Sequence, residues 1–281
     1  MHGLTVIAFV GSVFSPYYAR ARSRGDGDPL RHCAVNVALY GKPRRWTMTE
    51  RGSGDLRRDA TSLRIGASSL AWHGDSLVVE LDERGAPLPH AVRGRIVVDC
   101  APRAVPAFSL DGAGLHRWYP VAPCARVAVA LDRPRLRWEG EGYVDANTGD
   151  APVEDAFASW HWSRARVGDG AVVAYDTRQR DGSARSIALR FGAHGSIEEA
   201  VLPPLSPLPR SRWGIGREAR GEDARVVRTL LDAPFYARSL VSSRMGGTAA
   251  LAMHESLELD RFRAPWVRML LPFRMPRIAR P

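Results

Sequence analysis

A chain of 281 residues, 45% hydrophobic and 25% charged, can bury the core of one large or two smaller domains, which excludes a disordered or fibrous protein. Its formal net charge is +10 and rests on arginine, since Lys42 is the only lysine. That surplus fits either a base composition rich in arginine codons or attraction to an anionic surface.

In chain order the expected elements are strands. Residues 4–14 are apolar and partly β-branched. They point to a buried strand rather than an export signal, because no basic leader precedes them and Pro16-Tyr17-Tyr18 replaces a small-residue cleavage site. Residues 34–40, 45–50, 76–81 and 95–99 are β-branched or alternating, with Gly, Pro and Asp between them. Residues 60–72 suit a short helix or a strand about equally. Residues 125–131 and 135–139 continue the series. Residues 171–178 and 186–191 flank Asp181-Gly182, a hairpin turn signal. Residues 226–231, 249–258 and 266–271 complete it. Many short strands without long helical periodicity predict an all-β barrel or sandwich.

Residues 148–155 are turn-rich and acidic, and the strand pattern restarts at Phe157. The expected domains are therefore 1–153 and 154–281. The Pro-rich residues 202–209 suit a surface crossing within the second. Three widely spaced cysteines, Cys33, Cys100 and Cys124, argue against a disulfide framework, and the lack of a Cys-x-x-Cys pair against a structural zinc. No apolar run approaches the roughly 18–20 residues of a membrane-spanning helix.

Asp145 is the leading candidate for chemistry. It lies in Gly142-Tyr143-Val144-Asp145-Ala146-Asn147-Thr148-Gly149, with Trp160-His161-Trp162 shortly after. Turn aspartates often only cap loops. In an apolar pocket, however, a carboxyl keeps its proton and can act as a general acid toward a poor base. His116 and Trp118 alternate, so in a strand both face one way, and the indole face can stabilise a cation. Trp160 and Trp162 share a face, with His161 on the other, and suit an aromatic core plug more than direct chemistry. Tyr17 and Tyr18 suit a pocket rim or a corner. Glu255 is expected to pair with an arginine. Residues 261–274 interleave arginines with large apolar groups, as at a membrane interface, along single-stranded nucleic acid, or on a closing strand with a solvated face. The arginines are scattered and no nucleic-acid-binding motif accompanies them.

With these motifs in place, the chain resembles the carotenoid 1,2-hydratases, also called hydroxyneurosporene synthases. The likeness runs through residues 9–18, 32–40, 46–51 and 142–149, then 234–239, 254–257 and 271–277, nearly the whole chain. It implies two lipocalin-like β-barrel domains, related to AttH-type proteins and to some Diels–Alderases. It also implies hydration of the terminal 1,2 double bond of acyclic carotenoids such as neurosporene and lycopene, without a cofactor or metal. The residues implicated by motif are Asp145, Tyr143, His116 and Trp118. Asn147, Trp160, Trp162, Tyr17 and Tyr18 are the expected substrate-contacting set. The expected setting is the cytoplasmic face of an anionic inner membrane, peripherally bound, with no nucleic-acid partner. The alternatives are a carotenoid- or lipid-binding protein without catalysis and an isomerase or pericyclase. The resemblance further implies a strand ahead of Gly3-Leu4-Thr5 and an acidic residue where His161 stands.

Overall fold

The computed structural model describes residues 2–100, 105–192, 195–201, 203–245 and 247–278. Leu202, the first residue of the expected Pro-rich crossing, lies outside them. The chain begins with β1 (Gly3–Val10), helix α1 (Pro16–Ser23), β2 (Cys33–Tyr40) and β3 (Arg45–Arg51). Next come β4 (Leu56–Arg58), β5 (Ser62–Ile65), β6 (Ser68–His73), β7 (Ser76–Arg84) and β8 (Ala91–Asp99). The ambiguous residues 60–72 thus hold no helix but the hairpin of β5 and β6. β9 (Phe108–Ser109) precedes two long strands, β10 (His116–Arg133) and β11 (Leu136–Gly149). A one-turn helix α2 (Val153–Ala156) leads into β12 (Phe157–Val167), β13 (Gly170–Gln179), β14 (Ala184–Phe191) and β15 (Ile197–Glu199). The short β16 (Leu205–Leu208) and β17 (Arg217–Arg220) pair with each other. β18 (Glu222–Ala233), β19 (Tyr236–Met245) and β20 (Thr248–Glu258) follow, then helices α3 (Leu259–Arg263) and α4 (Pro265–Arg274), and finally β21 (Arg277–Ile278). The all-β expectation holds.

Two compact units form. The first comprises residues 1–103, 125–142 and 268–281, the second residues 104–124 and 143–267. In the first, β2 is buried along its whole length, as its apolar run Cys-Ala-Val-Asn-Val-Ala-Leu-Tyr requires. Its amide side chain, Asn36, donates to the Thr47 carbonyl at 2.8 Å, and the Tyr40 hydroxyl bonds the Thr5 hydroxyl at 3.1 Å. At one end of this sheet His32 and Arg277 converge on buried Glu50.

The second unit is built on an antiparallel sheet in the order β15-β14-β13-β12-β20-β19-β18. Asp181-Gly182 turns β13 into β14 as expected: the Asp181 carboxylate accepts from Ser183 N–H at 2.8 Å, and Gly182 takes φ +88°. Directly paired residues of an antiparallel ladder share a face. Tyr175, Trp162, Glu255 and Arg238 form one such row across β13, β12, β20 and β19. Trp160, two residues from Trp162, lies on the same face, and His161 on the other.

Residues 266–271, expected as a strand, are helical within α4. Pro265 sits at the first helical position, where its missing N–H and fixed φ cost nothing. Buried Val267 and Leu271 stand one turn apart, which is helical rather than alternating spacing. Among the described residues no helix is long and apolar enough to cross a membrane.

Candidate active site

In the second unit, the N-terminal part of β10 and the C-terminal part of β11 bring Trp118, Tyr143 and Asp145 together. Trp118 Nε1 donates to Tyr143 Oη at 3.2 Å and to Asp145 Oδ2 at 3.1 Å. The Tyr143 hydroxyl donates to the same Oδ2 at 2.9 Å. With two donors on Oδ2, the proton of the neutral acid belongs on Oδ1. The i, i+2 spacing of Tyr143 and Asp145 makes this possible, because alternate residues of a strand point the same way.

Aromatic rings enclose the carboxyl. Trp118, itself fully buried, packs on Tyr175 at 5.3 Å and Phe108 at 5.5 Å between ring centroids, and meets Phe191 edge-on at 6.4 Å. Tyr143 lies against Trp162 at 5.2 Å. Phe108 also lines a cavity of about 370 Å³ with Ile187, Leu189, Arg185 and Arg220.

Burial is the largest influence on Asp145 and pushes its carboxyl up to about 6. The Tyr143 hydrogen bond opposes this, the Glu255 carboxylate adds to it, and Trp118 and Arg238 oppose it more weakly. Burial and the nearby Asp145 also hold the Tyr143 and Tyr175 phenols well above their ordinary range. Both therefore remain neutral donors at physiological pH.

The other expected residues are placed as follows. Both His116 ring nitrogens are engaged, Nδ1 with Asp111 Oδ2 at 2.5 Å and Nε2 with the Ala151 carbonyl at 2.9 Å. Burial would raise the Asp111 carboxyl, but the bonds from His116 and the Leu115 N–H outweigh it and hold it low. Asn147 Oδ1 accepts from the Tyr175 hydroxyl at 3.4 Å. Trp160 meets Phe157 edge-on at 5.7 Å. The indole Nε1 atoms of Trp160 and Trp162 are buried without a hydrogen-bond partner among the described residues. Tyr17 and Tyr18 belong to the first unit, on α1, where Tyr18 stacks on His32 at 4.8 Å and the Arg277 guanidinium lies 6.0 Å from the Tyr17 ring.

Sequence reasoning overlooked Tyr175, Asp111 and Arg238. Glu255 does pair with an arginine: Arg238, almost completely buried, bonds its Oε1.

The description of a known family, carotenoid hydratase CrtC, matches residues 6–281. The chain belongs to the carotenoid hydratase CrtC family. It is 54% identical to an acyclic carotenoid 1,2-hydratase of Thiocapsa roseopersicina, over 99% of this chain and 70% of that protein. It is 50% identical to the acyclic carotenoid 1,2-hydratase of Rubrivivax gelatinosus, with the same coverage. As a member of this family, the hydratase is a hydro-lyase. A solved AttH structure from Nitrosomonas europaea, 14% identical, superposes with a TM-score of 0.56 and 81% of each chain covered. At that identity the likeness shows a shared fold, of the lipocalin-like AttH type.

Proposed function

We propose that this hydratase adds water across the terminal C1–C2 double bond of acyclic carotenoids such as neurosporene and lycopene, giving the 1-hydroxy product without a cofactor. One observation carries the mechanism: a carboxyl enclosed by aromatic side chains, which that burial pushes up to about 6. Asp145 Oδ1 transfers its proton to C2 and the positive charge falls on tertiary C1. The ring faces of Trp118, Tyr143 and Trp162 stabilise that charge, each cation–π contact contributing about 0.5–2 kcal/mol. A water then forms the C1–O bond. Its candidate anchors are the Asn147–Tyr175 pair and the Trp162 Nε1, a buried donor without a protein partner among the described residues. The resulting oxonium returns one proton to the Asp145 carboxylate, restoring the acid. His116, fixed between Asp111 and Ala151, acts as a clamp that sets Trp118 two residues along.

Asp145→Asn is expected to cut turnover of lycopene dispersed in detergent by about a hundredfold or more while leaving substrate binding intact. Product carrying one added water at near wild-type rate in that variant would overturn the assignment.

Such a substrate lives in the bilayer, which makes the setting part of the proposal: peripheral attachment to the cytoplasmic face of the inner membrane. Helix α4 supplies the attachment. Trp266, Met269, Leu270 and Phe273, at i, i+3, i+4 and i+7, are all exposed and form one apolar stripe. Exposed Arg263 and Arg274 accompany it, complementing anionic head-groups.

A further inference from the structure

The row across the second unit's sheet ends in an ion pair that the mechanism above does not use. Tyr175 on β13 and Trp162 on β12 are the surfaces on which Trp118 and Tyr143 pack. Glu255 on β20 stands directly beside Trp162 in the register, and Arg238 on β19 directly beside Glu255. With strands about 4.8 Å apart, Glu255 thus stands one strand nearer than Arg238 to Trp162, on which Tyr143 packs. The Arg238 side chain is 4% exposed and that of Glu255 20%. The bonded Arg238 supplies the partner that a charge taken this far out of water needs.

We infer that Glu255 and Arg238 form an oriented dipole, negative end toward the active site, which positions the catalytic proton on Asp145. The inference rests on Asp145 being the general acid. Glu255 is thus a positioning residue with two effects of one sign. It disfavours the Asp145 carboxylate before reaction, and it attracts the positive charge that develops at C1 during it. Arg238 pairs with Glu255 and partly offsets its field. The charged and titratable groups that act on Asp145 from the packed elements are Tyr143 on β11, Tyr175 on β13, Glu255 on β20 and Arg238 on β19. Glu255 outweighs Arg238 among them, as the register requires. The pairing has no evident folding role that an apolar pair could not fill, since burying an ion pair is often no more stabilising than burying its hydrophobic replacement.

The test is the titration of the Asp145 carboxyl itself, followed by carbon-13 NMR of aspartate-labelled protein, with Asp145→Asn identifying the resonance. In Glu255→Gln the midpoint is expected to fall by about one pH unit. The alkaline limb of the pH–rate profile with lycopene should move down with it, through kcat rather than KM. Glu255→Asp, which keeps the charge, should restore most of the shift. Should the single variant fail to fold, the Glu255→Gln/Arg238→Gln double variant leaves no unpaired charge and is expected to move the midpoint the same way by less. An Asp145 midpoint unchanged in the folded variants overturns the inference. Because the NMR midpoint does not depend on turnover, this outcome is distinct from an active Asp145→Asn, which would overturn the general-acid reading instead.

Discussion

Burial pushes the Asp145 proton on, while the hydrogen bonds from Tyr143 and Trp118 draw it off, and the balance falls at about 6. Removing one donor should therefore shift the balance upward. Tyr143→Phe is expected to move the alkaline limb of activity to higher pH, because the lost bond favoured the carboxylate. It should also lower kcat by about tenfold, the value of one good hydrogen bond. A limb that moves down in Tyr143→Phe would contradict the assigned geometry. Keeping Asp145 buried has a stability cost. Its folded value is raised, so the linked stability is present below the ordinary aspartate range and is lost as pH rises through about 6. At pH 8 that loss is at most about 3 kcal/mol. Asp145→Asn should accordingly raise the Tm at pH 8 and change it little at pH 4. An equal shift at both values would show that the asparagine acts through packing instead. Asp145 stood out in the sequence as a carboxyl beside aromatic residues, and His116 and Trp118 as an alternating pair, but residues 142–149 read as turn-prone, and it is the continuation of β11 to Gly149 that sets Tyr143 and Asp145 on one face. Tyr175 did not stand out, because it lies in a run of ordinary strand composition, and only the register against Trp162 brings it to the site.

At the scale of elements, most strands announced themselves through alternation or β-branched runs, and the β13–β14 hairpin through Asp181-Gly182. The α4 segment misled because its apolar residues cover both the inner and the outer face of a helix. Val267 and Leu271 point in, while Trp266, Met269, Leu270 and Phe273 point out, so neither period stands out by eye. The end of β11 carries its own constraint. A Cβ on Gly149 would approach His116 Cδ2 to 2.9 Å, and that ring is pinned by Asp111, Ala151 and the edge contact with Phe157. Gly149→Ala is thus expected to lower the Tm, with a loss of about 1–3 kcal/mol from overpacking, and to reduce turnover by displacing Trp118. Unchanged thermal stability and rate in that variant would show that the His116 clamp yields. Gly142 makes a useful contrast: the contacts of its added Cβ begin at 3.4 Å, so alanine there should be tolerated.

For the whole molecule, the proposed peripheral attachment draws on the net charge of +10 and the apolar stripe of α4. Binding to anionic liposomes should exceed binding to neutral ones and weaken in high salt. Phe273→Ser should reduce it, while turnover of detergent-dispersed substrate stays near the wild-type value. Equal binding to both lipids would reject the electrostatic part. The chemical step itself is open to a measurement that depends on neither the membrane nor any variant. With lycopene in deuterium oxide, proton delivery to C2 and capture of the C1 cation by water predict a 1-hydroxy product bearing one deuterium at C2. A hydroxylated product without deuterium at C2 would contradict protonation as the reaction's first step.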